Sequence, residues 1–283
     1  MNRPTLEITT MIGCPLMCNF CPQDSLRDAY GDDVKYMPLD TFKTTIDKLP
    51  KDVRIDFSGM SEPWVNPDCT SMLRYALEQG YTVAVYTTLY NWDRDTVDQV
   101  SELLIEYSEQ FETFCIHFPD EYGNMKGWKY NEDWEYACRV MIEVTRVAEV
   151  KFEAMTMSNQ GNVHKDLQHL GIKLWNWTGH DRAGSLNKEQ VKEQPIIFVT
   201  EHTKPITCSK TELFNQNVLL PNGDVVLCCM DYDTKHVLGN LVTGSYNDLF
   251  TGAEMTRILS ENARPCYSSE SLCKSCTDAR ILA

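Results

Sequence analysis

Cys14-Pro15-Leu16-Met17-Cys18-Asn19-Phe20-Cys21 places three thiols within eight residues, directly after an apolar run. A metal site ordinarily takes four protein ligands, so this stretch either borrows one from elsewhere or leaves a coordination position open. Pro15 and Asn19 suit a loop, which argues against three core cysteines that happen to be neighbours. Zinc completed by a distant ligand is the plain alternative. Structural zinc sites pair two Cys knuckles or mix Cys with His, and no His lies between Met1 and Val53. A [4Fe–4S] cluster with one iron free of protein is the other reading, because such clusters take one thiolate per iron.

The surroundings of the loop decide where it sits. Strands are expected at Thr5–Thr10, Val53–Ser58, Thr82–Thr87, Phe111–Phe118, Val150–Met157 and Ile172–Trp175. Between them, helices are expected at Leu39–Lys48, Ser71–Gln79, Arg94–Tyr107, Asp133–Val147 and, short, His164–Leu170. Pro38 opens the first helix and Asp93 caps the third, while Gly80 and Gly171 close the second and fifth. Strand–helix alternation requires crossovers and favours a parallel sheet with helices outside. Six units are too few for a closed eight-stranded barrel. The expected fold class is therefore α/β, a partial (β/α)6 TIM-like barrel. Ligand sites of such sheets lie beyond the C-terminal ends of the strands, and Cys14 follows the first strand.

After the sixth unit the texture changes. Asn217–Leu220, the turn Pro221-Asn222-Gly223-Asp224 and Val225–Leu227 read as a β-hairpin. A helix is expected over Ser245–Leu259 with Ser245 as N-cap. The chain thus divides into residues 1–185, a connector 186–207, and a small domain of hairpin plus helix at 208–283. The formal charge of −15 makes nucleic acid an unlikely partner. No apolar run approaches the ~20 residues that cross a bilayer, and the N-terminus lacks the apolar core of a secretory signal. A cytoplasmic protein with no membrane association is expected. Twelve cysteines in such a chain point to metal or redox chemistry before disulfides. Cys69, Cys115 and Cys138, scattered singly, are expected to be small buried apolar residues. Trp64, Trp128, Trp175 and Trp177 are candidate walls for a sugar-sized pocket, or plain core.

The three-cysteine loop, with Phe20 before its last thiol, resembles the signature of the radical S-adenosylmethionine (SAM) superfamily. The resemblance implies that the open iron chelates the amino and carboxylate groups of SAM. One electron then cleaves SAM to methionine and a 5′-deoxyadenosyl radical, which abstracts a hydrogen from substrate. Ser58-Gly59-Met60-Ser61-Glu62-Pro63 is similar to the family's Gly-Gly-Glu-Pro segment, which implies contacts to SAM from Gly59, Ser61 and Glu62. Ser61 stands where the family commonly has glycine. Thr87-Thr88-Leu89 occupies the place of the family's Thr-Asn-Gly. His117 and Ser158, near the ends of strands four and five, are placed for contacts to ribose, adenine or substrate. Asp181-Arg182-Ala183-Gly184 resembles an Arg-x-Gly found near SAM and substrate, where a guanidinium fork suits a carboxylate or a hydroxyl pair.

Cys208, Gly223-x4-Cys228, Gly239-Asn240-Leu241 and Cys273-x2-Cys276 resemble the auxiliary-cluster domain of the SPASM and Twitch members, although four cysteines in two groups also suit a zinc ribbon. The resemblance implies a second, auxiliary [4Fe–4S] cluster on Cys208, Cys228, Cys273 and Cys276. Neighbours on a strand face opposite ways, so Cys229 is expected to point away and, with Cys266, to stay free. With seven residues after Cys276, the shorter Twitch form is expected. Size and cysteine layout are similar to the family's short aminocyclitol dehydrogenases. That implies an oxidoreductase for a small sugar- or cyclitol-like substrate, with Arg182 or His117 as catalytic proton acceptor and flavodoxin or ferredoxin as electron donor. The alternatives are a redox-neutral epimerase with Cys229, Cys266 or Cys115 as hydrogen donor, a maturase of ribosomal peptides, and a non-enzymatic metal-binding protein.

Overall fold

β1 (Thr5–Ile8) lies in the middle of an eight-stranded sheet, with Leu6 and Ile8 fully buried in the main core. The computed structural model describes residues 3–156, 162–175, 179–186, 196–198 and 201–282. On one side of β1 follow β2 (Arg54–Phe57), β3 (Val83–Thr87), β4 (Phe111–Phe118) and β5 (Phe152–Thr156), each parallel to its neighbour. Their connections carry α1 (Gln23–Ala29), α2 (Leu39–Ile46), α3 (Cys69–Glu78), α4 (Arg94–Glu106) and α5 (Glu132–Val147). The Asp93 side chain caps α4 by accepting from Thr96 N at 2.8 Å, as expected. The C-terminal region contributes the short strands β6 (Gly179–His180), β7 (Ile196–Ile197), β8 (Ile206–Cys208), β9 (Gln216–Leu219), β10 (Asp224–Val226), β11 (Val237–Asn240) and β12 (Ala279–Ile281). It also carries α6 (Asp248–Thr251) and α7 (Ala253–Ala263).

The sheet is an open, largely parallel partial barrel, in the order β11-β10-β9-β1-β2-β3-β4-β5. The expected hairpin forms as β9 and β10, and it joins the same sheet. β9 runs parallel to β1, with Thr5 opposite Gln216 and Ile8 opposite Leu219. Gly223 turns the hairpin at φ +90°, where an added Cβ would lie 2.5 Å from Val242 Cγ2.

Three local expectations need correction. Ile172–Trp175 forms no strand; it follows the left-handed Gly171 with a single bond from Trp175 N to Ala154 O at 2.7 Å. β9 pairs with the other edge of β1, and β6 pairs with β7 in a separate sheet. Trp175 is 57% exposed and lines neither cysteine-bordered cavity, whereas Trp64 and Trp128 are core, and Trp177 lies outside the described residues. The single helix expected over Ser245–Leu259 is two, interrupted where Gly252 adopts an extended backbone (φ −69°, ψ 167°). Cys69, Cys115 and Cys138 are buried, as expected of small apolar residues. Among the described residues, no helix is long and apolar enough to cross a membrane.

Candidate functional site

The chain leaves β1 through Thr9 and Thr10 and turns at Gly13 (φ +91°) into the cysteine loop. Thr10 Oγ1 donates to Pro63 O at 2.8 Å, and Asn66 Nδ2 donates to Thr10 O and Met37 O at 2.9 Å each. Buried Gln23 ties the loop to the segment after β2: its Oε1 accepts from Cys14 N (3.2 Å) and its Nε2 donates to Met60 O (2.6 Å). The loop after β4 holds the other side. Asn19 N donates to Asn124 O at 3.0 Å, Asn19 Nδ2 to Asn124 Oδ1 at 2.9 Å, and Gly127 N to Leu16 O at 2.8 Å. A Cβ on Gly127 would fall 2.1 Å from Pro15 O, so only glycine permits this approach.

The result is a cavity that encloses about 630 Å³ of space, part of it open to solvent. Cys14, Cys18 and Cys21 line it together with Phe20, Gly59, Ser61, Glu62, His117 and Arg182. Thr88, from the segment in the place of the Thr-Asn-Gly motif, lines it as well, as do Tyr86 and Tyr232, which no motif singles out. Glu62 is buried with both carboxylate oxygens bonded: Thr87 Oγ1 at 2.6 Å on one, Thr88 N (2.7 Å) and Thr88 Oγ1 (2.8 Å) on the other. Burial nevertheless pushes this carboxyl upward. Thr87 therefore positions Glu62 and is not among the cavity's lining residues. Gly59 sits at φ +58°, and a Cβ there would lie 2.5 Å from Thr9 Oγ1. Ser61 Oγ is buried with no partner among the described residues. Ser158 lies outside the described residues.

Cys18 and Cys21 share a hydrogen bond, which holds Cys21 low with help from Arg182 and Tyr232 and drives Cys18 up. Burial pushes Cys14 to about 12. Arg182 and Ala183 take the left-handed conformation (φ +53° and +52°) before Gly184 (φ +90°). That conformation is costly for residues with a Cβ and is typical of functional sites. The turn points the guanidinium at the wall: Nε reaches Phe20 O at 3.5 Å, Nη1 reaches Cys229 O at 3.4 Å, and the group lies 5.5 Å from the Tyr232 ring. Burial, and then Arg182, hold His117 down to about 4. Its Nε2 is shielded from solvent with no partner among the described residues.

A second cavity of about 670 Å³ is lined by Cys208, Cys228, Cys273 and Cys276, with Cys229, Glu7 and Lys210 beside them. Cys229 therefore does not point away from Cys228. The chain has left β10 at Val226 and is turning, so strand alternation no longer applies. Cys266 is exposed, and Cys115 is buried in β4 and lines neither cavity. Long-range bonds set the cysteine-bearing loops. His236 Nε2 accepts from Leu272 N at 3.1 Å while Nδ1 pairs with Glu254 Oε1 at 2.7 Å. Lys274, fully buried, donates to Lys204 O and Arg264 O at 2.8 Å each. Burial pushes Cys273 to about 11 and Cys276 to about 12. Neither His236 nor Lys274 carries a motif; only the position of Lys274 between two cysteines hints at its role.

Among the described residues, no three His, Cys, Asp or Glu side chains converge as on a single metal ion. The thiols instead border two spaces, and these all-sulfur donor sets suit iron–sulfur clusters, which hold thiolates around a body of several atoms.

Residues 208–277 match the SPASM family model, described as an iron–sulfur cluster-binding domain. The chain is similar to BtrN in complex with AdoMet and 2-DOIA, with a TM-score of 0.61 and 16% identity over 98% of this chain and 94% of that one. It is also similar to native anSMEcpe with bound AdoMet and Cp18Cys peptide, with a TM-score of 0.55 and 14% identity over 96% and 86%. No curated protein matches the chain. The fold is thus the one that BtrN and anSMEcpe share, an open partial barrel, and its C-terminal residues 208–277 match an iron–sulfur cluster-binding domain.

Proposed function

We propose that the chain is a cytoplasmic radical SAM oxidoreductase that oxidises a small polyol, sugar- or cyclitol-like. The observation that carries this reading is the adjacency of the two cavities. Arg182 lines the three-thiol space, and its Nη1 meets the carbonyl of Cys229, which lines the four-thiol space. Residues 1–185 would supply the first site and 208–283 the second, joined by 186–207. Cys14, Cys18 and Cys21 would hold a [4Fe–4S] cluster that, with SAM, supplies a 5′-deoxyadenosyl radical. Cys208, Cys228, Cys273 and Cys276 would hold an auxiliary [4Fe–4S] cluster, a reservoir for an electron.

Glu62, oriented by Thr87 and Thr88, offers its carboxylate to an ammonium such as that of SAM. Gly59 and Ser61 shape the backbone beside it, Phe20 closes the loop against Leu186, and Ser158 is a further contact to cofactor. Of the two candidate proton acceptors, Arg182 is a cation without a lone pair. His117 is neutral near pH 7 and has an open Nε2, so it takes the hydrogen bond or proton of a substrate hydroxyl. Arg182 orients the substrate, and a flavodoxin or ferredoxin delivers the electron.

BtrN, matched nearly end to end, was solved with 2-DOIA, which favours a small substrate. Anaerobic turnover of 2-deoxy-scyllo-inosamine with SAM and dithionite should give a product two mass units lighter with stoichiometric SAM consumption. A product of unchanged mass in H2O that becomes one mass unit heavier in D2O, with deuterium on carbon, contradicts oxidation. It would support epimerisation through Cys229, the candidate hydrogen donor that lines a cavity; Cys229→Ala would then stop turnover while SAM cleavage continued.

A further inference from the structure

Residues 228–232 form one short turn that serves both cavities. Cys228, Cys229 and Met230 line the four-cysteine space, and Tyr232, two residues on, lines the three-cysteine space. The turn is held by its own backbone: Asp231 N donates to Cys228 O at 3.0 Å and Tyr232 N to Met230 O at 3.1 Å. The Asp231 carboxylate fixes the exit, accepting from Lys235 N at 2.8 Å and His236 N at 2.9 Å. The Tyr232 side chain packs in a buried cluster with Ile12, Leu26 and Met60. Its hydroxyl hydrogen-bonds the Cys21 thiol, and the Arg182 guanidinium lies 5.5 Å from its ring. The three thiols of the loop therefore differ in their partners. Cys14 has the backbone N–H groups of Leu16 and Glu62, Cys18 has Cys21, and Cys21 has a phenol and a guanidinium besides. A metal-bound Cys21 is a thiolate and accepts such bonds. A donor aimed at a ligand sulfur favours the more negative, reduced form of a cluster and raises its reduction potential.

We infer that the Tyr232 hydroxyl, carried into the three-cysteine cavity by the turn that bears Cys228, donates to Cys21 Sγ and raises the reduction potential of the cluster that binds SAM. Acting through Cys21, Tyr232 is a positioning residue, and it makes a loop of the second site part of the first. This rests on the [4Fe–4S] reading of the three-cysteine cavity. The rival role is packing alone, with the ring as filler of the core.

Tyr232→Phe keeps the ring and removes only the hydroxyl. Anaerobic redox titration of the reconstituted holoenzyme, followed by electron paramagnetic resonance, reads the cluster whose signal changes when SAM is added. At a fixed solution potential its ratio of reduced to oxidised form should fall about tenfold in Tyr232→Phe, or about 59 mV for a one-electron couple. About eight irons per chain should be retained, and the signal that SAM does not change should keep its potential. Tyr30→Phe is the control: Tyr30 belongs to the same buried cluster, but its hydroxyl donates to Val34 O at 2.9 Å and it lines neither cavity. An unchanged potential in Tyr232→Phe, an equal shift in Tyr30→Phe, or loss of the first cluster's iron from Tyr232→Phe overturns the inference alone. A wild type with no [4Fe–4S] signal that responds to SAM overturns the reading of the cavity and this inference with it.

Discussion

Gly127→Ala perturbs the site without touching a cysteine. The new methyl would lie 2.1 Å from Pro15 O and 2.8 Å from Leu16 Cα. Carbon and carbonyl oxygen rest at about 3.3–3.6 Å, so the two loops must part by about 1 Å. The bond from Gly127 N to Leu16 O runs through the same contact. Losing it costs about 1 kcal/mol, and overpacking adds about 1–3 kcal/mol. In a chain of this size a loss of about 2–4 kcal/mol lowers Tm by about 5–10 °C. The local effect is larger than the global one, because metal sites tolerate only about 0.2 Å of ligand displacement. Iron per chain should therefore fall from about eight to about four, with SAM cleavage lost. Gly31→Ala is the control, since a Cβ there meets nothing within 4 Å. Iron and sulfide analysis, a thermal melt and quantification of 5′-deoxyadenosine read the outcome. Gly127→Ala with full iron and wild-type cleavage would refute the clamp.

His117 should make the fold acid-sensitive. Burial and then Arg182 hold its pKa down to about 4, below the ordinary imidazole value of 6.5, so the unfolded chain binds the proton first. Stability is then lost as pH falls from about 6.5 to about 4, with a share of about 3 kcal/mol for this residue. His117→Gln should show a shallower slope of unfolding free energy against pH across that window; parallel slopes would contradict this. Lys274→Met strips the donor from the carbonyls of Lys204 and Arg264. A loss of about 2–4 kcal/mol is expected, with release of the C-terminal cluster on gel filtration; wild-type Tm and iron would be the contrary result. Cys266→Ala, at an exposed position that lines neither cavity, should change neither iron content nor turnover. Loss of turnover would restore Cys266 as a hydrogen donor.

Particular residues show why parts of this molecule were legible in its sequence and others were not. Phe111–Phe118 forms β4 with the bounds its β-branched and aromatic run implies, and Asp93 caps α4 through a bond three residues away. Both are local signals. Ile172–Trp175 has strand-like alternation too, but beside the edge strand β5 it makes the bond from Trp175 N to Ala154 O without forming a ladder, and local pattern does not decide whether pairing follows. Gly252 sits within a continuous helical pattern, and the break there appears only where the chain turns extended. The groups Cys14/Cys18/Cys21 and Cys273/Cys276 are legible as groups because their spacing is short, and the structure lines one cavity with the first and a second cavity with the other. Gln23, Gly127, His236 and Glu7 are not legible, because each acts on a segment distant in sequence: Glu7 meets Ser58 51 residues away. Gly127 looks like any loop glycine until Pro15 is placed against it.

The most direct measurement compares wild type with the Cys14→Ala/Cys18→Ala/Cys21→Ala variant, both reconstituted anaerobically, reduced with dithionite and supplied with SAM. The wild type should release 5′-deoxyadenosine and carry about eight irons per chain, while the variant should release none and keep about four. Cleavage that survives loss of the three thiols, or a wild type that binds zinc in place of iron, would contradict the assignment of the three-cysteine cavity as the catalytic one.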